Sequence, residues 1–539
     1  MQNQSPAQSL FSHHQKRTLD INKKSDRAGT IFLITFLGGF IRAFFVWQKD
    51  FPLNDGGMFY TMVQDLEAAH FRLPAFTTYN HASIPFAYSP LPFYLAGFLN
   101  TWFKIDLIQI LRSLPRFFSI ITIPAFYWLA RQYLHKPAPC LLATLIFAVL
   151  PPTYTWQIMG GGLTRSIGFF FMLLALAFYL KFVHEKRQLD FAWMIVFAAL
   201  TTLCHIEMVW VLALSFAVVF LFERCTWKGL GELALAVALV LALTSLWWIP
   251  VVAAHGVAPF LNAFQNGGFN IAGPLASFLG VDFVEGSSLN LFAFLALIGV
   301  FLSLREHNWI ASAWWVVFIL FDQRSIQRAA MIPIALLAGL ALDFLLQWVK
   351  SNLSENRAAA DLNAPGRWIK LILTGVLVFA LFNNLLPYYS LNSLESILNQ
   401  ENRSAMLWVK GNTPPDSRFL LINYPDSWSS DRVGEWFPAL SDRKSILTTQ
   451  GAEWLPDKAQ SAAIRELIKS DACRQQGLEC FQNWIKKDQL KFDYVYFTLN
   501  DQPGTAPTKY ASAVEVQLGN DSGYELVYAN DDVRIFKRR

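Results

Sequence analysis

The sequence predicts a mainly α-helical membrane protein, in which a bundle of about eleven transmembrane spans precedes a C-terminal extracytoplasmic α/β domain. Two observations predict this class. The 539 residues are 54% hydrophobic and only 15% charged, whereas soluble domains carry about 25% charged residues. The apolar residues are also gathered into repeated runs, each long enough to cross a hydrocarbon core of about 30 Å.

The first span follows a polar, basic tail at residues 1–27, which is predicted to be cytoplasmic. The apolar run at residues 28–47 is longer than a signal-peptide core and lacks a small-residue cleavage pattern, so it is predicted to remain as a span. The run at 191–222 is long enough to form a hairpin about residues 205–207. The later runs of the predicted transmembrane module, residues 28–390, are at 111–130, 139–157, 167–182, 191–222, 230–252, 289–304, 309–321, 329–348 and 368–386.

One short apolar run at residues 88–103, YSPLPFYLAGFLNTWF, decides the orientation of everything after it. If this run does not cross the membrane, most Lys and Arg residues of the later loops fall on the side of the N-terminal tail, as the positive-inside rule requires. If it crosses, they face outward. We therefore predict an amphipathic or re-entrant helix at the outer interface, within a long outer loop at residues 48–113.

The polar region at residues 391–539 is predicted to be a soluble extracytoplasmic α/β domain. Its helical patterns are at 394–410 and 459–469, its strand patterns at 418–423 and 491–499, and a hairpin pattern at 524–536. Cys473 and Cys480 lie in this region. A disulfide between them requires an oxidising compartment, which agrees with the predicted topology. The spacing of cysteines and histidines does not suggest a zinc site.

The segment NDGGMFY, residues 54–60, places Asp55 just beyond the outer end of the first span. A carboxylate held there could take a proton from a hydroxyl nucleophile. Asn-Asp-Gly-Gly is also ordinary turn sequence, and on the loop alone a solvated turn is the favoured interpretation.

Four arginines near the same face of the membrane are candidates for binding a phosphate. Arg324 and Arg328, in DQRSIQRAAMIP, share one helical face. This arrangement suits a phosphate or pyrophosphate, and lipid headgroups are the alternative partner. Arg165 follows the glycines of GGGLTR, whose backbone amides could approach an anion, although a flexible hairpin explains them as well. Arg42 either snorkels to headgroups or points inward to a phosphate.

Weaker candidates for contacting a sugar or an acceptor lie on the same side. His205 and Glu207 mark the reversal of the long apolar run, and form either a polar turn or part of a cavity. Tyr88 begins the predicted interfacial segment. Glu435 and Trp436, in GEWFPAL, pair a carboxylate with an aromatic face, a pattern repeated in GAEWLP. Carbohydrate platforms have this composition, but a Trp at a domain–membrane interface is equally plausible.

The order of these parts resembles the GT-C superfamily of integral-membrane glycosyltransferases, which use polyprenyl-phosphate sugars and include protein mannosyltransferase and aminoarabinose transferase type enzymes. The matching segments are NDGGMFY, then YSPLPFYLAGFLNTWF, then ILRSLPRFFSIITIPAFYWLAR and, near the C-terminus, GEWFPALSDRKSILTTQGAEW. The resemblance implies that Asp55 is the general base of an inverting displacement with polyprenyl phosphate as leaving group. It also implies that Arg165, Arg324 and Arg328 stabilise the phosphate charge.

The first-loop site departs from the family pattern, because many members carry paired acidic residues there and some use a divalent metal. Here Asp55 is flanked by Asn54 and Gly56, so no metal or other cofactor is predicted. The expected partners are a polyprenyl-phosphate sugar donor, a glycan, lipid or protein acceptor, and membrane lipids. Nucleic acid is not expected, because the basic residues cluster beside apolar runs as topology signals do.

The predicted location is the cell (plasma or inner) membrane. Two other functions fit the sequence. A lipid-linked sugar transporter or flippase should carry inward-facing charges near mid-bilayer on broken helices. A non-catalytic membrane scaffold would keep the fold without the chemistry.

Overall fold

The computed structural model describes residues 24–265, 290–321, 329–355, 364–385, 396–423, 428–499 and 513–539. Two predicted phosphate ligands, Arg324 and Arg328, lie outside the described residues. Up to residue 385 the described residues form helices and their connecting turns, with one short hairpin in the long loop, β1 (Phe76–Thr77) with β2 (Ile84–Pro85).

The helices of this part follow the apolar runs of the sequence. In chain order they are α1 (Lys24–Trp47), α2 (Gly57–Ala68), α3 (Leu91–Phe103), α4 (Leu107–Leu134), α5 (Pro137–Val149), α6 (Gly162–Glu185), α7 (Gln188–Cys204), α8 (Ile206–Glu223), α9 (Trp227–Leu243), α10 (Ser245–His255), α11 (Ala258–Gln265), α12 (Asn290–Arg305), α13 (Ile310–Phe321), α14 (Met331–Glu355) and α15 (Ala364–Leu385).

Among the described residues, four helices, α1, α6, α8 and α14, are long and apolar enough to cross a membrane. The number rises to six if two bent helix pairs, α5 with the turns that follow it and α9 with α10, each form one span. Large apolar side chains such as Phe32 and Phe36 point outward from α1, as lipid-facing residues do. The protein is therefore an integral membrane protein, whereas the count of about eleven spans stays a prediction.

One predicted break and one predicted short helix are present. His205 has an extended backbone that separates α7 from α8, so the run at 191–222 is two helices. The run at 88–103 forms α3, which begins with Pro92 in its first turn, where a missing N–H costs nothing. Phe93 is buried and Trp102 is exposed on this helix. The helix is present as predicted, and its amphipathic or re-entrant placement at the outer interface stays a prediction.

The chain after residue 396 forms a five-stranded mixed sheet with helices around it. The strand order is β4-β3-β5-β7-β6, with β3 parallel to β4 and β5, and β7 antiparallel to β5 and β6. A disulfide joins Cys473 to Cys480. The elements are α16 (Gln400–Asn412), β3 (Arg418–Ile422), α17 (Arg432–Ser441), β4 (Lys444–Ser445), α18 (Ala459–Gln476), α19 (Leu478–Lys487), β5 (Tyr494–Thr498), α20 (Ala513–Leu518), β6 (Tyr524–Ala529) and β7 (Val533–Arg538).

A continuous apolar core joins the long loop and the helical bundle to the C-terminal sheet. It contains Met62 of α2, Phe93 of α3, Leu163 of α6, Trp436 of α17 and Tyr496 of β5, all of them buried. Because burial of apolar area is the main stabilising term, this core holds the C-terminal domain against one end of the bundle. At this end of the bundle α1 ends, and α6 and α8 begin.

Candidate active site

Asp55 lies in the turn between α1 and α2, against the start of α6. Its Oδ1 accepts a hydrogen bond of 2.7 Å from the backbone N–H of Gly161, and its Oδ2 is 2.7 Å from Nη2 of Arg165. The Asp55 side chain is only 21% exposed. Asp55 is therefore not a freely solvated turn residue. It is an anion held at a helix N-terminus and paired with a cation, and both contacts favour a carboxylate.

Arg165 is positioned by a second contact. Its Nε donates to the backbone carbonyl of Trp156 (3.1 Å), and its guanidinium lies 5.4 Å from the centre of the Trp156 ring. The planar fork of arginine can make these contacts and the Asp55 pair together, which lysine cannot. The anion that the GGGLTR segment contacts in the structure is thus the Asp55 carboxylate, and contact with a phosphate stays a prediction.

Glycines occur where the Asp55 loop meets α6 and α17, because backbone atoms of the neighbouring segments approach each other closely there. A Cβ atom on Gly160 would lie 2.0 Å from the carbonyl oxygen of Asp55, and one on Gly57 would lie 2.3 Å from the carbonyl oxygen of Glu435. Gly56 has a φ of 121°, which other residues adopt only with strain. The glycines therefore allow the Asp55 loop to pack between α6 and α17.

Gly160→Ala is expected to lower the free energy of unfolding by about 1–3 kcal/mol, the usual cost of overpacking, because the nearest atom is backbone and cannot rotate away. Thermal unfolding of the purified protein measures this. Gly231→Ala in α9 is the matched control, since its Cβ would meet no atom within 4 Å and alanine is the better helix former. Equal melting temperatures for the two variants would contradict the close approach.

A cavity of about 310 Å³ opens beside Asp55, at the small end of the range for ligand sites. Its walls come from the loop after α1, the starts of α6 and α8, and the C-terminal domain. Five residues predicted from the sequence line it together: Asp55, Tyr88, Arg165, Glu207 and Glu435. The other lining residues are Gly56, Met58, Phe59, Trp156, Gly161, Trp428, Ser429, Gln450, Glu453 and Gln460.

Glu435 belongs to the first turn of α17 and is 4% exposed. Its Oε1 accepts hydrogen bonds from the backbone N–H groups of Gly56 (3.3 Å) and Met58 (3.1 Å). Burial is the main cause, and the charge of Asp55 the next, of a Glu435 pKa raised to about 8. At neutral pH this side chain is therefore mostly protonated, unlike a surface glutamate.

The residues at the α7–α8 break form part of the cavity wall and its support. Nε2 of His205 lies 3.3 Å from Oε2 of Glu207, and Nδ1 of His205 lies 3.3 Å from Oγ1 of Thr164. The Tyr88 ring stacks on the His205 ring, with centroids 6.2 Å apart. Glu207 and Tyr88 line the cavity. His205 does not line it, but contacts both of these residues.

Arg42 is placed away from the cavity, which corrects the expectation that it contacts headgroups or a phosphate. The residue is fully buried. Its guanidinium donates to the hydroxyls of Ser119 (3.2 Å), Thr122 (3.0 Å) and Thr153 (3.1 Å) and to the carbonyl of Phe147 (3.2 Å). Since buried cations require such acceptors, Arg42 joins α1 to α4 and to the end of α5.

For Trp436 the structure corrects one of the two alternatives, the carbohydrate platform. Its side chain is fully buried, its Nε1 donates to the carbonyl of Asn54 (3.2 Å), and its ring contacts Phe51 with centroids 4.5 Å apart. A sugar cannot stack on a ring that has no exposed face. Trp436 therefore anchors the Asp55 loop to the C-terminal domain.

Several lining residues were not among the predicted site residues. Glu453 had a signal in the repeated Glu-Trp pattern of GAEWLP. Gln450, Gln460 and Trp428 had none, because they reach the cavity only through packing of the C-terminal domain against the bundle.

The described part of the chain holds no group of three or more His, Cys, Asp or Glu residues that could bind a metal ion. The expectation that the protein needs no metal stays a prediction.

These features define a class of protein: a membrane helical bundle with a carboxylate-lined cavity at one end, covered by a mixed α/β domain. Neither a family model nor a curated protein matches the sequence. Solved structures do. The oligosaccharyltransferase of Archaeoglobus fulgidus in its apo form has a TM-score of 0.59 and 14% identity, covering 88% of this chain and 70% of its own.

Two further structures are similar. ArnT from Cupriavidus metallidurans in the apo state has a TM-score of 0.52 and 13% identity, covering 94% of this chain and 98% of its own. The arabinofuranosyltransferase AftD from Mycobacteria has a TM-score of 0.53 and 13% identity, covering 97% of this chain and 40% of its own. All three are GT-C superfamily membrane glycosyltransferases. The fold of this chain is therefore the GT-C fold, as the resemblance predicted.

Proposed function

We propose that the protein is a membrane glycosyltransferase that moves a sugar from a polyprenyl-phosphate-linked donor to an acceptor hydroxyl by an inverting displacement. The observation that carries the proposal is the Asp55 carboxylate, held by Gly161 and Arg165 at the wall of the cavity. The GT-C fold supports the same class. A lipid-phosphate donor is supported by the Archaeoglobus fulgidus AglB structure that contains a dolichol-phosphate and an inhibitory peptide.

In this reaction Asp55 acts as the general base. As the acceptor oxygen bonds to the anomeric carbon, its proton passes to the Asp55 carboxylate. The bond between the anomeric carbon and the phosphate oxygen breaks, and its electron pair leaves with polyprenyl phosphate. Arg165 keeps Asp55 in position, and Arg165, Arg324 and Arg328 are the proposed partners of the phosphate charge.

The proposed topology follows the charge distribution. The tail at residues 1–27 is cytoplasmic, and the domain at residues 391–539 lies on the opposite side of a cell membrane. The cavity is then extracytoplasmic, where a glycan, lipid or protein acceptor meets a donor whose lipid tail stays in the bilayer.

Proteoliposomes containing the purified protein and a labelled polyprenyl-phosphate sugar test the class, with a membrane extract as the source of acceptor. A transferase is expected to release polyprenyl phosphate and to label the acceptor. A flippase would move the donor across the bilayer uncleaved, and a scaffold would do neither. Recovery of only intact donor would therefore overturn the proposal. Transport is the less favoured function, because Asp55 and Glu207 lie at helix ends and not in the middle of the bundle.

A further inference from the structure

The two carboxyl oxygens of Glu435 have different surroundings in a residue that is only 4% exposed. Oε1 receives the backbone N–H groups of Gly56 and Met58, at 3.3 and 3.1 Å. Oε2 is buried and has no hydrogen-bond partner among the described residues, although Glu435 lines the cavity. A buried polar atom without a partner is uncommon and calls for an explanation.

This division matches a protonated carboxyl group. Such a group has one oxygen that only accepts and one O–H that donates. Oε1, with two N–H donors directed at it, fits the accepting role, and Oε2 fits the donating role. A buried O–H without an acceptor is costly, so the arrangement requires an acceptor atom that a ligand in the cavity can supply.

The charged groups around Glu435 favour its neutral form. Asp55 approaches it from the loop after α1 and Glu453 from the segment after β4. Asp431, one turn earlier along the chain, accepts the backbone N–H of Gly434 as the N-cap of α17. The hydroxyl of Tyr79 donates to the backbone carbonyl of Glu435 (2.7 Å) and not to its carboxyl group. Burial and the Asp55 charge together raise the pKa of Glu435 to about 8.

The remaining charged residues of the cavity already have partners. Arg165 is paired with Asp55, and Glu207 lies 3.3 Å from the His205 ring. A neutral Glu435 therefore gives the cavity a hydrogen-bond donor without adding a fourth negative charge beside Asp55, Glu207 and Glu453.

We propose that protonated Glu435 binds the sugar of the donor, with Oε2–H donating a hydrogen bond to a sugar hydroxyl while Oε1 holds the Asp55 loop. This inference rests on the proposed function. The sugar is the partner, and not the phosphate, because in an inverting displacement the base and the leaving group lie on opposite faces of the sugar. Glu435 accepts a hydrogen bond from the loop that carries the base, so it lies on the side of the sugar away from the phosphate.

Glu435→Gln is the decisive variant. The glutamine amide can still accept from Gly56 and Met58 and still donate toward the cavity, but it does not titrate. Glu525→Gln is the matched control, since Glu525 belongs to the same domain, is 54% exposed and does not line the cavity.

The first measurement needs no substrate. Because the folded-state pKa of Glu435 is raised from 4.5 to about 8, the stabilisation it gives is complete below pH 4.5 and is lost as the pH rises to about 8. The melting temperature of the wild-type protein should therefore fall relative to that of Glu435→Gln between pH 5 and 8.5, and the difference should then level off. A difference that does not change with pH overturns the protonated state.

The second measurement is binding of undecaprenyl phosphate, with and without an attached hexose, at pH 7 and 9.5. Wild-type affinity for the sugar-bearing lipid is expected to fall about tenfold or more at the higher pH, because Glu435 with a pKa of about 8 loses its proton between these two pH values. Glu435→Gln should show no such fall, and Glu525→Gln should fall like the wild type. Affinity for the sugar-free lipid should not depend on Glu435.

The outcomes separate the inference from the function on which it rests. A fall in affinity that survives in Glu435→Gln overturns the sugar contact, and so does a Glu435-dependent fall for the sugar-free lipid. If neither lipid binds at any pH, the lipid-linked donor itself is refuted, and the sugar contact with it. The melting comparison still decides whether Glu435 carries a proton.

Discussion

Asp55→Asn is expected to lower the rate of sugar transfer by about 10²- to 10⁴-fold, the usual contribution of a general base. Asparagine is nearly isosteric and can still accept the Gly161 N–H, but it cannot take a proton from the acceptor hydroxyl. The affinity for the donor should change little, because the loss concerns a proton transfer in the transition state. Initial rates with labelled donor, normalised to folded protein, measure the effect.

Asp50→Asn is the matched control for this variant. Asp50 lies on the same loop and is also paired with an arginine, Arg403, at 2.7 Å, but its side chain is 64% exposed. It does not line the cavity, so its substitution should leave the transfer rate within about twofold of wild type, as is usual for surface changes. If Asp55→Asn transferred sugar as fast as Asp50→Asn, Asp55 would not be the base.

Arg165→Met is expected to reduce both stability and transfer. Removing one partner of a mostly buried ion pair leaves the Asp55 carboxylate without its cation, which should cost about 2–4 kcal/mol. Asp55 also loses its fixed orientation, and misplacement of a reacting group by about 1 Å can cost about 10²-fold in rate. Thermal unfolding and transfer rates, measured on the same preparation, report the two effects.

Arg224→Met separates these effects. Arg224 pairs with Glu232 at 2.9 Å, with side chains 17% and 21% exposed, a burial close to that of Arg165 and Asp55. This pair lies at the other end of α8, so its loss should lower stability without lowering the rate per folded molecule. The double variant Asp55→Asn with Arg165→Met should regain part of the stability lost in Arg165→Met, because no unpaired carboxylate remains. If Arg165→Met kept the wild-type rate, a positioning role for Arg165 would be excluded.

The helical elements could be predicted because their signals are local. The run at 88–103 is short and contains prolines, and it forms the separate helix α3. The long run at 191–222 breaks at His205, where polar residues interrupt it. In each case the residues that determine the element are within the element, so composition and spacing suffice.

The site residues were predicted less well because burial is not a local property. Arg42 and Asp55 are both charged residues near the end of α1, and the sequence offered each a functional and a solvent-exposed alternative. In the structure Arg42 is enclosed by the hydroxyls of Ser119, Thr122 and Thr153, whereas Asp55 lines the cavity. Which of the two reaches the cavity depends on neighbours more than 70 positions away along the chain.

The sequence by itself determined the membrane class, the order of the helices, the α/β character of the C-terminal domain and the place of Asp55 in a glycine-containing turn, because these depend on composition and on spacing within short segments. Only the tertiary structure decided that Glu435 of α17 meets the Asp55 loop, that Trp436 is buried and that Arg165 holds Asp55. These contacts join segments about 110 to 380 residues apart, and the free energy that forms them comes from packing the whole domain against the bundle.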